Sequence, residues 1–325
     1  MKPIQKSVMA MLATAVAVTL LMTGLNGSLA GSAGDRQDDR DRGAQNLGDP
    51  DYGVCRGTDP RCYHDWNNFD PATEGYRVLL YTRTAGPRHA NLGPALPPGL
   101  NPPLTPAHAV QNFIVRLGQD NGFGVDWTED VTQLNSPARL FNYNAVIFFS
   151  TTRDTLDDPA QTALRQYIRG GGGFVGVHNA FGTEYNWLWY EGLIGSANYY
   201  DHGANQQATV QIESRHDAST AGLPQRWTFT DEWYNLVPFP SRVRFLATVD
   251  EDTMATKRTS GHPGHGRFHP VTWCHYYDGG RAWLTTMGHD ARAFSTDGSF
   301  AGAEHFQRML LGGIESTMGK VPFCR

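Results

Sequence analysis

The chain has 325 residues and carries 27 Lys and Arg against 32 Asp and Glu, for a net charge of −5. That balance is mildly acidic and mixed, and no basic stripe runs along the sequence, so the electrostatic footprint of a nucleic-acid binder is missing. The length suits one large α/β domain or two small ones, with ample sequence for a core, and the many glycines, prolines and aromatics suit a site built on loops.

Lys2 and Lys6 precede an almost uncharged apolar run from Val8 to Leu25, and small residues follow at Ser28-Leu29-Ala30 and Gly31-Ser32-Ala33. This is the layout of a secretory signal peptide over residues 1–30; an uncleaved anchor is the alternative, since the run is long enough to span a bilayer. No later segment is apolar enough to cross a membrane. The expectation is therefore a secreted or extracytoplasmic protein that has no membrane partner after cleavage. Residues 31–50 alternate Asp and Arg among Gly and Gln without an apolar face, which predicts a disordered linker. Residues 51–75 read as a short cysteine-bearing extension, and residues 76–325 as the main domain. An even number of cysteines in an exported chain permits disulfides. Cys55 with Cys62 closes a short loop, and Cys274 with Cys324 would tie the tail to the body, although Cys274 could equally be a free buried thiol.

The main domain opens on "YRVLLYT" (76–82), a continuous apolar run that predicts a strand buried on both faces. Arg88, His89 and a proline-rich loop follow. Val110, Phe113, Ile114 and Leu117 then repeat at helical spacing, and Gly122 can end that helix. "FGVDWTED" and "YNAVIFFS" read as the next strands. Asp157 caps a helix that runs to about Arg169, four glycines stop it, and "FVGV" is a fourth strand. Short connections between these elements point to a parallel sheet with helices on both faces. After His178 the pattern changes to strands without long helices between them, which either extend the sheet or form a β-rich flap. "AEHFQRMLLGGIEST" is a final helix.

His89, His178, Glu184, His202, Asp231, Glu232, Tyr234, His269, His275 and His289 fall at strand ends or just after them. Polar groups at the carboxyl ends of neighbouring parallel strands converge on one crevice, and histidine with carboxylate there makes acid–base catalysis or metal binding possible. Each has a plainer reading: His89 as a solvated loop residue, His178 as a satisfied core histidine, Glu184 as a helix-start charge. "HPGHGRFHP" spaces His262, His265 and His269 closely enough to hold a divalent metal, although a flexible polar loop is the commoner outcome; no cofactor is otherwise expected. The four glycines are neither a phosphate loop nor a dinucleotide fingerprint, because no Gly-Lys-Ser/Thr follows and they precede a strand rather than open a helix. "GVHNA" places His178 where a nucleophile elbow would carry Ser or Cys, so acyl-enzyme chemistry is not expected.

The stretches "RVLLYTRTAGPRH", "YNAVIFFSTTRDTLDD", "YIRGGGGFVGVHNAFGTEYNWLWYEGLIG", "TDEWYNL", "HPVTWCHYYDGGRAWLTTMGHD" and "HFQRMLLGGI" together resemble the ThuA-like family, named for trehalose utilisation. The resemblance implies a flavodoxin-like α/β fold of the class I glutamine amidotransferase type, without that superfamily's catalytic cysteine. It carries the family's polar positions onto His89, His178, Glu184, His202, Glu232, Tyr234, His275 and His289, and it implies carbohydrate metabolism. The chain departs from the pattern at Pro87, at Ala90-Asn91 and at Phe268. Two functional readings result. In the first, a secreted enzyme acts on a disaccharide or 3-keto-glycoside, with His178, Glu184, Glu232 and His289 as catalytic groups. His89, Trp187, Tyr190, His202, Trp233, Tyr234 and His275 would then contact a small-molecule or oligosaccharide substrate. In the second, the same surface only binds a sugar.

Overall fold

The computed structural model describes residues 50–69, 75–256 and 261–325, so the expected signal peptide and all but the last residue of the expected linker lie outside the described residues. In chain order the first half comprises β1 (Arg56–Gly57), β2 (Arg77–Tyr81), α1 (Ala109–Asn121), β3 (Gly124–Thr128), α2 (Pro137–Leu140), β4 (Ala145–Phe149), α3 (Asp158–Arg169) and β5 (Gly173–Val177). The second half comprises α4 (Leu188–Leu193), β6 (Tyr199–His202), β7 (Gln206–Ile212), β8 (Arg226–Asp231), β9 (Tyr234–Leu236), β10 (Arg244–Asp250), β11 (His269–Tyr277), β12 (Gly280–Thr285) and α5 (Ala303–Met318).

One ten-stranded sheet runs in the order β3-β2-β4-β5-β12-β11-β10-β7-β8, with β1 paired to β11. Strands β3, β2, β4, β5 and β12 are mutually parallel. Every residue of β4 and β5 is buried, as expected for strands covered on both faces. Asp157 caps α3 by accepting from the Ala160 N–H, and Gly122 ends α1 in the left-handed region at φ 72°. The glycine run is needed for close approach as well as for turning: a Cβ on Gly173 would lie 2.7 Å from Thr317 and 2.8 Å from the Asn144 carbonyl.

The later strands do both things the sequence left open. β11, β10, β7 and β8 extend the main sheet by antiparallel pairing, while β6 and β9 form a separate two-stranded ribbon. Three successive reversals from β11 to β8 leave β8 running in the same sense as β5, so both end on the same edge of the sheet. The extension packs on the main domain through β1 and through Tyr52, whose hydroxyl donates to Glu191 and lies 2.8 Å from Ser196 Oγ. Cys55 is bonded to Cys62 and Cys274 to Cys324; the second bond ties the C-terminal tail to β11. Both bonds are consistent with an oxidising compartment. Among the described residues no helix is long and apolar enough to cross a membrane.

Candidate active site

The carboxyl edge of the parallel strands carries the chemistry. Beyond β5 the chain turns at His178 with φ 53°, beyond β4 at Ser150 with φ 48°, and beyond β12 at Gly288 with φ 123°. Left-handed backbone at non-glycine residues costs on the order of 1–3 kcal/mol each and persists where surrounding structure enforces it. The turn aims the His178 ring along the edge. Its Nδ1 lies 2.9 Å from the Thr286 carbonyl, which can only accept, so the proton sits on Nδ1 and Nε2 is left bare. Tyr234, on β9, donates its hydroxyl to that Nε2 at 3.0 Å, and Glu232 Oε2 lies 3.8 Å away.

His289 is held by two clamps. The buried Asp231 carboxylate, at the end of β8, accepts from the N–H groups of Gly288 and His289 and from that of Glu232. Burial pushes this carboxyl up to about 7. On the other side Asn91 donates to the Gly288 and His289 carbonyls. Asp231 thus ties the end of β8 to the end of β12 and sets Glu232 Oε2 3.0 Å from His289 Nδ1. Burial alone would lower the imidazole and raise the carboxyl. The attraction between them outweighs it, so His289 is raised and Glu232, which also faces His202 and His89, is lowered.

His89 comes from the loop after β2. Arg88 fixes that loop by gripping the carbonyls of Leu92, Gly93 and Pro94 and the Glu129 carboxylate at 2.7 Å. The His89 ring meets His178 edge-on at 4.7 Å between centroids and His289 at 5.5 Å. Burial, with the His289 charge, lowers His89 to about 4, and burial with His89 beside it lowers His178 further. His202, on β6, places Nε2 3.6 Å from Glu232 Oε2. One carboxylate is therefore surrounded by four imidazoles. One ligand-capable atom from each of His89, His178, Glu232 and His289 falls within 4.8 Å of the others. Glu232, His89, His202 and Tyr234 wall a cavity of about 230 Å³ together with Tyr185, Tyr199, Asn179 and Arg153. The sequence reading missed those last four; "TEYNW" and "NYYDH" carry the two tyrosines beside residues it did single out.

Five expected site residues lie elsewhere. Glu184 is buried and accepts from the N–H groups of Thr155 and Leu156 and from the Gln161 amide, so its oxygens organise the α3 entry and not the cavity. Trp187 stacks on Trp189 and Tyr190, and the Tyr190 hydroxyl donates to the Ala180 carbonyl. Trp233 turns its indole N–H to the Gln206 carbonyl. His275 sits midway along β11 opposite Ala282, with Nε2 2.9 Å from the Leu193 carbonyl, and burial lowers it to about 3. Trp187, Tyr190 and Trp233, expected to contact substrate, pack in or against the core; the aromatics of the cavity are tyrosines.

Among the described residues, the closely spaced loop histidines are each engaged by a structural hydrogen bond. His269 lies between Glu251 Oε1 at 2.8 Å and the Tyr234 carbonyl at 2.9 Å. His265 Nε2 accepts from the Leu236 N–H, and His262 Nδ1 from the Gly264 N–H. A larger cavity, about 660 Å³, lies along the antiparallel strands among Arg215, Arg244, Phe245 and Phe268, and the histidine cluster is no part of its wall.

The family model ThuA, described as trehalose utilisation, matches residues 77–316. A ThuA-like protein from Bacteroides uniformis ATCC 8492 superposes with a TM-score of 0.57 at 20% identity, covering 74% of this chain and 90% of that one. Another ThuA-like protein, from Parabacteroides merdae ATCC 43184, gives a TM-score of 0.54 at 18% identity, covering 76% and 91%. These likenesses establish the α/β, flavodoxin-like fold. No curated protein matches the chain.

Proposed function

We propose that this chain, which belongs to the ThuA (trehalose utilisation) family, is an exported enzyme acting on a disaccharide or its 3-keto form by histidine–glutamate acid–base chemistry. The observation that carries this reading is the single carboxylate, Glu232, among His89, His178, His202 and His289 at the wall of an open tyrosine-lined cavity. At about 230 Å³ the cavity is smaller than the roughly 300–1,000 Å³ typical of drug-sized ligands, so it suits one sugar ring, with the second unit projecting outward.

Ordinary glycoside hydrolysis needs two carboxyl groups flanking the bond. Glu184, the expected partner of Glu232, is committed to backbone N–H groups. A 3-keto-glycoside asks for less. Its carbonyl acidifies the C2 proton, so a base can remove that proton as the C1–O bond breaks. The electron pair forms the C1–C2 double bond, and the departing alkoxide takes a proton from an acid. Glu232 is the base in this scheme and the His289 imidazolium the acid. His178, neutral, accepts from Tyr234 at Nε2, 3.8 Å from Glu232 Oε2.

The test is incubation of the purified protein with a panel of disaccharides and their 3-keto derivatives, with product followed by mass spectrometry. The expected result is release of the second sugar from the keto form. Sugar binding by calorimetry without turnover of any panel member would replace this reading with that of a sugar-binding protein.

A further inference from the structure

The nitrogens around Glu232 are not used as nitrogens in a finished core are used. His89 Nδ1 and His289 Nδ1 are buried without a hydrogen-bond partner. His289 Nδ1 lies 3.0 Å from Glu232 Oε2, an ionic neighbour in the metal-free protein that does not meet hydrogen-bond geometry. Buried polar atoms are mostly paired in folded proteins, and two exceptions within one cluster of ligand-capable atoms leave room for an occupant there.

We propose that His89, His178, His289 and Glu232 bind a divalent first-row transition-metal ion, with Zn²⁺ as the representative. Three imidazoles and one carboxylate suit zinc and its neighbours, whereas magnesium and calcium prefer oxygen throughout. The spacing agrees. A tetrahedral ion with arms of about 2.1 Å places its ligand atoms about 3.4 Å apart. His289 Nδ1 to Glu232 Oε2 is 3.0 Å and His178 Nε2 to the same oxygen is 3.8 Å, so the two edges bracket that value.

The surroundings have the character of an outer shell, which fixes a ligand's tautomer and direction. The Thr286 carbonyl holds the His178 proton on Nδ1 and leaves Nε2 free to bind. Asp231 and Asn91 clamp the backbone that carries His289. Arg88 pins the loop that carries His89. The Tyr234 hydroxyl now donates to His178 Nε2 and would have to yield; Asn179 Oδ1, 3.4 Å from that hydroxyl, is the acceptor waiting for it. The cluster borders the tyrosine-lined cavity through His89 and Glu232, so a bound ion would meet a ligand oxygen there and could polarise a sugar carbonyl.

This inference goes beyond the sugar reading and concerns the metal-loaded protein, in which Glu232 and His289 are ligands; the base and acid roles given above belong to the metal-free protein. Tag-free protein is stripped with a chelator, dialysed and titrated with ZnCl₂ by calorimetry. Co²⁺ is titrated in parallel, because its visible spectrum reports nitrogen ligation. The expected result is one ion per chain, weakened on the order of a hundredfold or more in His89→Gln and in His289→Gln, since even outer-shell changes cost about 10–100-fold. The double variant His262→Gln/His265→Gln is expected to bind like the parent. Melting curves of the metal-free variants report folding, and Glu232→Gln supplies the same comparison should a histidine variant not fold. Absence of uptake by the parent overturns the proposal, as does uptake that survives both His89→Gln and His289→Gln. Zinc binding without sugar turnover removes the sugar reading alone, and turnover by protein that takes up no metal removes this inference alone.

Discussion

Two histidine–carboxylate clusters occur in this protein, and they differ in what their nitrogens do. The loop cluster draws His262, His265 and His269 from eight consecutive positions and sets them around Glu251. Each ring has a hydrogen-bonding nitrogen with a named partner: the Gly264 N–H, the Leu236 N–H, or Glu251 together with the Tyr234 carbonyl. The edge cluster draws His178, Glu232 and His289 from the segments after three strands and His89 from the loop after β2; His89 Nδ1 is buried without a hydrogen-bond partner, and His289 Nδ1 faces the Glu232 carboxylate. In a low-dielectric interior an unmet polar group is costly, whereas a met one rigidifies what it touches. The loop cluster therefore builds structure, whereas the edge cluster has the nitrogens that the proposed ion would engage.

Glutamine substitutions separate the two with the largest expected effect. Glu232→Gln keeps the shape of the side chain and removes its charge and basicity. Turnover of the keto-glycoside should fall by roughly 10²–10⁴-fold, the range for a lost proton-transfer group, with a melting temperature close to the parent's. His265→Gln should leave turnover within about twofold. Equal losses of turnover in the two variants would erase the distinction between the clusters.

Stability should divide the clusters the other way. Glu251 accepts from the His265 N–H and contacts His269 Nδ1 in a buried setting. Glu251→Ala leaves both groups unmet, and losing hydrogen bonds to a charged acceptor costs about 2–3 kcal/mol. A fall in the urea midpoint at unchanged slope would register this. An unaltered midpoint would mean that the loop cluster is not structural after all.

The contrast also explains what the sequence could and could not reveal. The parallel strands were legible because a strand buried on both faces must be a continuous apolar run, as "AVIFF" of β4 is. His178 was legible as a candidate because it directly follows such a run, and His89, Glu232 and His289 because they lie in the segments after β2, β8 and β12, whose ends share one crevice. Glu184 fits the same description, yet its carboxylate turns back to the N–H groups of Thr155 and Leu156. Which way a side chain leaves a turn is set by backbone such as φ 52° at Glu184, and sequence spacing carries no record of that. His275 lies inside a strand whose position in the sheet decides its surroundings, and β11 pairs with elements far from it in sequence. The tract of three histidines drew attention by proximity along the chain. Proximity in space is the sign that the proposal rests on, and it arises only once the strands are ordered.

Acid titration gives the smallest effect and the sharpest one, because the two clusters should respond with opposite sign. His265 is held down to about 3 from an ordinary 6.5, first by burial and then by the His269 and His262 charges. Between those values the unfolded chain binds a proton that the folded chain refuses, so stability rises with pH at about 1.4 kcal/mol per pH unit for each such group. His265→Gln should flatten that acid limb by about one proton's worth between roughly pH 4 and 6. His289 is shifted upward from 6.5, its burial outweighed by Glu232. Its stabilising contribution is fully present below 6.5 and disappears as pH rises through the raised value. His289→Gln should therefore be most destabilised in acid and converge on the parent in alkali. Urea unfolding of chelator-treated protein across pH 4–9 measures both limbs, and the chelator keeps any bound ion from masking the His289 proton. If both variants shift the profile in the same direction, the Glu232–His289 ion pair does not exist in the metal-free protein, and the difference between the clusters reduces to burial alone.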